Sequence, residues 1–191
     1  MITKNKQHRT MQDFRGFITR SWAMPSSDTF SIKPIRMFIE SYMGDPTDFP
    51  QPTRVDPFAR NSPFKDRCIS NDLDPDIKAS FHMDALDFLK MFNDGEVDVV
   101  LFDPPYSPRQ VSECYKKMDK TVNMQTTQSS FWGNLKKEVG RVIATDGICI
   151  TCGWNSGGIG KTLGFEIEEI LLVAHGGWHN DTIVTVERKL L

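Results

Sequence analysis

The spacing of apolar positions changes several times along the chain, and each change marks an element. In TFSIKPIRMFIESYM, residues 29–43, Ile35, Phe38, Ile39 and Tyr42 recur at intervals of three and four. That spacing predicts a helix, with Pro34 tolerated in its first turn. A loop rich in proline and aspartate, GDPTDFPQPT, follows. TRVDPF and KDRCISND then read as short strands, and DPDIKASFHMDALDFLKMF as a short strand or turn followed by an amphipathic helix. VDVVLF, residues 97–102, is an almost unbroken apolar run, as in a strand covered on both faces. PRQVSECYKKMDK and FWGNLKKEVGRVIA read as helices, the second with Phe131, Leu135, Val139, Val142 and Ile143 along one face. GICITCGW is another covered strand. FEIEEILLVAH and DTIVTVERKL are strands joined by GGWHN, a hairpin by composition.

Alternating strands and helices imply βαβ units and a mostly parallel sheet, with the closing hairpin adding an antiparallel strand. In such sheets ligands bind outside the carboxyl ends of the strands. Three acids stand at strand ends in this reading: Asp56, Asp72 and Asp103. The run VDVVLF stops at Asp103-Pro104-Pro105-Tyr106. Prolines have no N–H for a sheet ladder and fix their own φ, so they end the strand where an acid must be solvated, paired or used.

Composition narrows the setting. The chain has 191 residues, 39% hydrophobic and 25% charged, which suits one globular domain. No apolar run reaches the roughly 20 residues of a spanning helix, and MITKNKQHRTMQDF lacks the apolar core of a secretory signal. A cytoplasmic protein with no membrane association is expected. The net charge of −2 neither supports nor excludes a nucleic-acid partner. Residues 1–29 read as a polar arm, with Lys4, Lys6, Arg9, Arg15 and Arg20 set against Asp13. The arm either contacts substrate or partner or is simply solvated. Of the four cysteines, Cys149 and Cys152 form a CxxC inside a strand, where residues three apart face opposite ways. With Cys68 and Cys114 they read as free thiols, and no metal site is expected. GGIGKT, residues 157–162, lacks the first glycine of a phosphate-binding GxxxxGK[ST], since Asn155 stands there; it reads as a turn. His175 and His179 flank the hairpin and fit no metal spacing.

Three segments in order resemble the S-adenosylmethionine-dependent DNA amino-methyltransferases. SIKPI resembles their KP-containing segment, VDPFARNS their DPFxGSG element, and FDPPYS their (D/N/S)PP(Y/F) element. SNDLDP fits the acidic end of the second strand and HMDALDFL the next adenosine-contacting loop, so the likeness spans residues 30–191. It implies a Rossmann-like methyltransferase fold of the α/β class: a mostly parallel seven-stranded sheet, a C-terminal antiparallel hairpin and helices on both faces. It also implies a single catalytic domain over residues 30–191. The expected cofactor is S-adenosylmethionine, released as S-adenosylhomocysteine. Phe30, Ile32, Lys33 and Pro34 would close over it. Asp56, Phe58 and Ala59 would line its methionine side, with Pro57 and Asn61 also among the cofactor-binding residues. Asp72 would hold the ribose hydroxyls, flanked by the cofactor-binding Asn71 and Leu73, and Asp84 would receive the adenine amino group with Ala85 beside it. Asp84 equally reads as a helix N-cap.

Asp103, Pro104, Pro105 and Tyr106 would carry the chemistry. The Asp103 carboxylate and the Pro104 carbonyl would accept the two N–H groups of the target amine, and Tyr106 would stack on a base taken out of the duplex. Ser107 and Arg109 would touch the nucleic acid. The family's loop is glycine-rich, whereas Arg60, Asn61 and Ser62 stand here. Asn61 is the residue of these best suited to a left-handed backbone.

The aspartate of DPPY leans toward the N6 amine of adenine in DNA, with the N4 amine of cytosine or an RNA amine as alternatives. No insertion is long enough for a target recognition domain. Specificity is therefore expected to be low, or to come from a homodimer or a separate subunit, and so compact a chain would suit a phage or mobile element. Two other classes compete: a methyltransferase fold that binds nucleic acid or a partner without turnover, and a nucleotide-binding protein using GGIGKT.

Overall fold

The computed structural model describes residues 16–190, apart from 46, 48, 108, 111 and 113–128. The helix expected at PRQVSECYKKMDK, with Cys114, lies outside the described residues. The strands are β1 (Phe17–Trp22), β2 (Arg54–Asp56), β3 (Ile69–Ser70), β4 (Val97–Phe102), β5 (Ile143–Gly153), β6 (Phe165–Ala174) and β7 (Thr182–Lys189). They form a seven-stranded sheet in the order β1-β6-β7-β5-β4-β2-β3. Only β7 runs antiparallel to its neighbours, β5 and β6. The fold is the Rossmann-like one expected.

The seven strands are not quite those read from the sequence. The short strand or turn before HMD contributes only a single bridge, Phe81 to Asn71. The seventh strand is instead β1, in the stretch read as a polar arm. It pairs in parallel with β6 from Phe17–Glu169 to Trp22–Ala174. Its residues remain largely exposed, so backbone pairing rather than burial of an apolar face defines it.

Helices cover both faces of the sheet because strand side chains alternate. Val99 and Leu101 of β4, with Ile148, Ile150 and Cys152 of β5, face one layer, where α1 (Lys33–Tyr42) buries Ile35 and Ile39. Val100, Phe102 and Cys149 face the other. There α2 (Ala85–Leu89) supplies Phe88 and Leu89, and α3 (Ser129–Val142) supplies Leu135, Val139 and Val142. The two cysteines of the CxxC thus lie in opposite layers, and both are free thiols. Each fully buried Ile, Leu or Phe contributes about 2–3 kcal/mol of transfer free energy. Pro34 occupies the first turn of α1, where a missing N–H costs nothing. No helix among the described residues is long and apolar enough to cross a membrane.

Candidate active site

β2, β3 and β4 lie side by side and parallel, so their carboxyl ends share one edge. A cleft opens there, lined by Asp28, Thr29, Phe30, the Phe58–Ser62 loop and Asp103. The DPFARNS loop forms its floor. After Asp56 the chain turns sharply: the Phe58 N–H donates to Asp56 Oδ1 at 3.2 Å, and the Ser62 N–H to the Ala59 carbonyl at 2.7 Å. Next to β2, Asn71 is fully buried and acts as a clamp. Its Nδ2 donates to the carbonyls of Pro57 (3.2 Å) and Met83 (3.0 Å), and its Oδ1 accepts the Met83 N–H at 3.1 Å. Asn71 therefore spends its side chain on joining three loops.

The glycine position of this loop is taken by Arg60, whose φ is +41°. Asn61, the residue expected to adopt the left-handed conformation, does not; its Nδ2 reaches Asp28 Oδ1 at 3.3 Å across the cleft. The loop geometry is thus set by position, and an arginine accepts a conformation that costs an L-residue about 1–2 kcal/mol. Fixed partners hold it there. The Arg60 N–H donates to Asp72 Oδ2 at 2.8 Å, and Lys65 Nζ donates to the Arg60 carbonyl at 3.0 Å.

The three strand-end acids sit in distinct environments. Asp56 has no solvent exposure and lies beneath its own loop rather than on the cleft wall. Burial pushes its carboxyl up to about 7, opposed by the Phe58 N–H and the Ser62 hydroxyl and reinforced by the charges of Asp103 and Asp72. Its Oδ2 has no well-formed hydrogen bond among the described residues; the Ser62 hydroxyl favours the charge from nearby without meeting bonding geometry. Asp72 holds the Arg60 N–H with one oxygen and the Asp74 N–H, at 2.9 Å, with the other.

Asp103 stands at the end of β4, part-exposed as a residue but with a desolvated carboxyl. Burial raises its pKa. A hydrogen bond from the Tyr106 hydroxyl, another from Thr29 and the positive charge of Arg60 pull the other way. Tyr106 packs against the α1-side core and meets Trp154 edge to face, centroids 5.5 Å apart. Burial beside Asp103 raises the Tyr106 hydroxyl far above its ordinary pKa, so it is a donor at every physiological pH. The two prolines differ in engagement. The Pro105 carbonyl accepts from Trp132 Nε1 at 3.1 Å, whereas no donor among the described residues reaches the Pro104 carbonyl.

The remaining residues of interest divide between the cleft and elsewhere. Phe30 lines the cleft and packs on Phe64; Phe58 lines it and packs on Phe102; Ala59 and Asn61 line it as well. Pro57 is buried and Leu73 half-buried. Ile32 is buried at the start of α1. Lys33 and Pro34 are not part of the cleft wall. They line a separate groove with Trp22, Met37 and Phe38, because α1 turns its first residues toward β1. Asp84 caps α2, accepting the Leu86 N–H at 2.9 Å, and Ala85 is buried in the core behind it. Ser107 Oγ accepts the Gln110 N–H at 3.3 Å, and Arg109 is exposed nearby. Arg60 lines the cleft at the position where the sequence shows a departure from the family's glycine, and Asp28 and Thr29 line it although the sequence does not single them out. The acid of WAMPSSD, just before the KP segment, is the one available signal.

GGIGKT binds inwardly. The Ile159 and Gly160 N–H groups donate to the buried carboxylate of Glu187, at 2.5 and 2.9 Å. A side chain, rather than a phosphate, fills this backbone nest. His175 is a latch, bonded at 2.8 Å to both the Ala23 carbonyl and Thr182 Oγ1. Among the described residues no cluster of His, Cys, Asp and Glu is arranged to hold a metal ion.

No model of a known protein family matches the chain, and no curated protein matches it. Solved structures do. A protein of Haemophilus influenzae provisionally named a methylase is 12% identical, with a TM-score of 0.52, covering 83% of this chain and 98% of that one. The 1,6-didemethyltoxoflavin-N1-methyltransferase of Burkholderia thailandensis, solved with 1,6-didemethyltoxoflavin and S-adenosylhomocysteine, is 11% identical, with a TM-score of 0.55, covering 83% of this chain and 78% of that one. At these identities the likeness is one of fold.

Proposed function

We propose that this chain transfers a methyl group from S-adenosylmethionine to the exocyclic N6 amine of adenine in DNA. The observation that carries the reading is the adjacency, at the end of β4, of a desolvated Asp103 carboxyl and a Pro104 carbonyl that no donor among the described residues reaches. An exocyclic amine is a poor nucleophile because its lone pair is delocalised into the ring. Two fixed acceptors for its two N–H groups draw that lone pair out of the ring plane. Pro104 and Pro105 stiffen the backbone, and Trp132 holds the Pro105 carbonyl, so the direction of the neighbouring acceptor is set in advance. Hydrogen bonds from Tyr106 and Thr29 favour the ionised form of Asp103 and oppose the burial that raises its pKa.

The cleft suits the cofactor electrostatically. S-adenosylmethionine, when bound, supplies a methyl group made electrophilic by a sulfonium. Asp28 and Asp103 on the wall, with Asp56 just beneath them, favour a ligand with two positive centres. Asp72 keeps acceptor capacity beyond its two backbone bonds for ribose hydroxyls. Phe58 and Phe30 give the cleft apolar sides. The H. influenzae and B. thailandensis structures support the methyltransferase part of the reading through their shared fold. In this reading residues 30–191 carry the catalytic chemistry, with β1 completing the sheet and Asp28 and Thr29 completing the cleft. Residues 1–29, including edge strand β1, contribute contacts to DNA or to a partner copy or subunit that supplies specificity.

Calorimetric titration with S-adenosylmethionine, with and without duplex DNA, tests the first half. Saturable one-site binding is expected. The absence of binding in both conditions contradicts the reading.

A further inference from the structure

Resting on that reading, we infer that Arg60 is the carboxylate receptor of the cofactor site: its guanidinium binds the α-carboxylate of the methionine part of S-adenosylmethionine. Glycine would hold the left-handed backbone of this loop without strain, yet an arginine stands at φ +41°. A strained non-glycine residue persists where its surroundings over-determine it, and such residues cluster at ligand sites. Here the surroundings do so on both sides, through Asp72 on the Arg60 N–H and Lys65 on its carbonyl. The backbone is pinned while the side chain is not. Among the described residues the guanidinium makes no hydrogen bond, and the residue is exposed on the cleft wall within electrostatic reach of Asp103.

The charge pattern of the wall selects the ligand group. Arg60 is the one cationic residue lining the cleft among the described residues, and Asp28 and Asp103 are its acids. The methionine end of the cofactor carries one ammonium, one sulfonium and one carboxylate. Acids match the first two, and the planar fork of an arginine matches the third with two parallel charge-assisted hydrogen bonds. A phosphate of the DNA substrate is the competing anion. The carboxylate is favoured because Arg60 belongs to the loop that floors the cleft and is tied directly to Asp72, the proposed ribose acceptor.

The test compares S-adenosylmethionine with decarboxylated S-adenosylmethionine, which lacks only the carboxylate. Calorimetry would be run on the wild-type chain, Arg60→Ala and Arg60→Gly. The glycine variant removes the side chain while suiting the backbone, so a damaged loop and a lost contact give different results. Wild type should prefer the intact cofactor, and both variants should lose about tenfold or more in its affinity. Their affinity for the decarboxylated compound should stay within about threefold of wild type. The inference is overturned if both variants bind the intact cofactor like wild type, including the case where only DNA affinity falls. It is equally overturned if both ligands weaken in parallel. A wild-type chain that binds neither compound overturns the function itself.

Discussion

Replacing Asp56 with asparagine should change how stability depends on pH. Asp56 is completely buried, and its carboxyl is held near 7 against an ordinary value of 3.8. A carboxyl raised in the folded state favours folding most below its unfolded pKa, and that contribution is lost as pH rises through its folded pKa. The window is therefore about pH 4 to 7, and stability should fall across it. The difference of about 3 pH units corresponds to about 4 kcal/mol at 1.36 kcal/mol per unit. The asparagine side chain would keep the acceptor for the Phe58 N–H but place a buried N–H₂ where Oδ2 stands. That cost, about 1–3 kcal/mol, does not depend on pH. Asp103 and Glu187 are also raised by burial and remain in the variant, so they largely cancel in the comparison. Urea titrations followed by tryptophan fluorescence at pH 4.5 and pH 8 would give both differences. Asp56→Asn should gain about 3–4 kcal/mol relative to wild type between the two pH values. Parallel pH dependences would refute the placement of an ionisable carboxyl in that buried position.

Two further outcomes follow from contacts already described. Tyr106→Phe removes a hydrogen bond that lowers the Asp103 pKa, so the acid limb of the methyl-transfer pH profile should move to higher pH; an unmoved limb would mean that Tyr106 does not tune Asp103. Gly158→Ala should cost about 3 kcal/mol in urea unfolding, because φ is +42° and the added Cβ would lie 2.0 Å from Glu187 Oε2, displacing a carboxylate that ties down two backbone N–H groups. A cost below about 1 kcal/mol would show that the Glu187 clamp is dispensable.

What the sequence discloses follows from where the physics is local. VDVVLF and GICITCGW announce covered strands because both faces of β4 and β5 are buried, and the hairpin is visible because β6 and β7 are separated by a glycine-rich turn. The stop at Asp103-Pro104-Pro105 is equally local, since proline ends a ladder wherever it stands. β1 is illegible because FITRSW buries almost nothing; only its pairing partner, about 150 residues later, makes it a strand. Residue preference puts the left-handed turn at Asn61, but the contacts to Asp72 and Lys65 put it at Arg60. Lys33 and Pro34 stand near cofactor residues in sequence, but they line a groove shared with Trp22 of β1 instead of the cleft. Asn71 and Glu187 carry polar side chains whose partners lie far along the chain, and no periodicity reports such bonds.

The central claim is that Asp103 and its cleft direct methyl transfer to an adenine amine. The most direct measurement is transfer of a tritiated methyl group from S-adenosylmethionine to unmethylated DNA by wild type and Asp103→Ala, followed by digestion and nucleoside separation. The account predicts label in N6-methyladenine with wild type and none with Asp103→Ala, even at cofactor concentrations that calorimetry shows to saturate the variant. Label confined to another base or acceptor, or transfer that survives in Asp103→Ala, would contradict it.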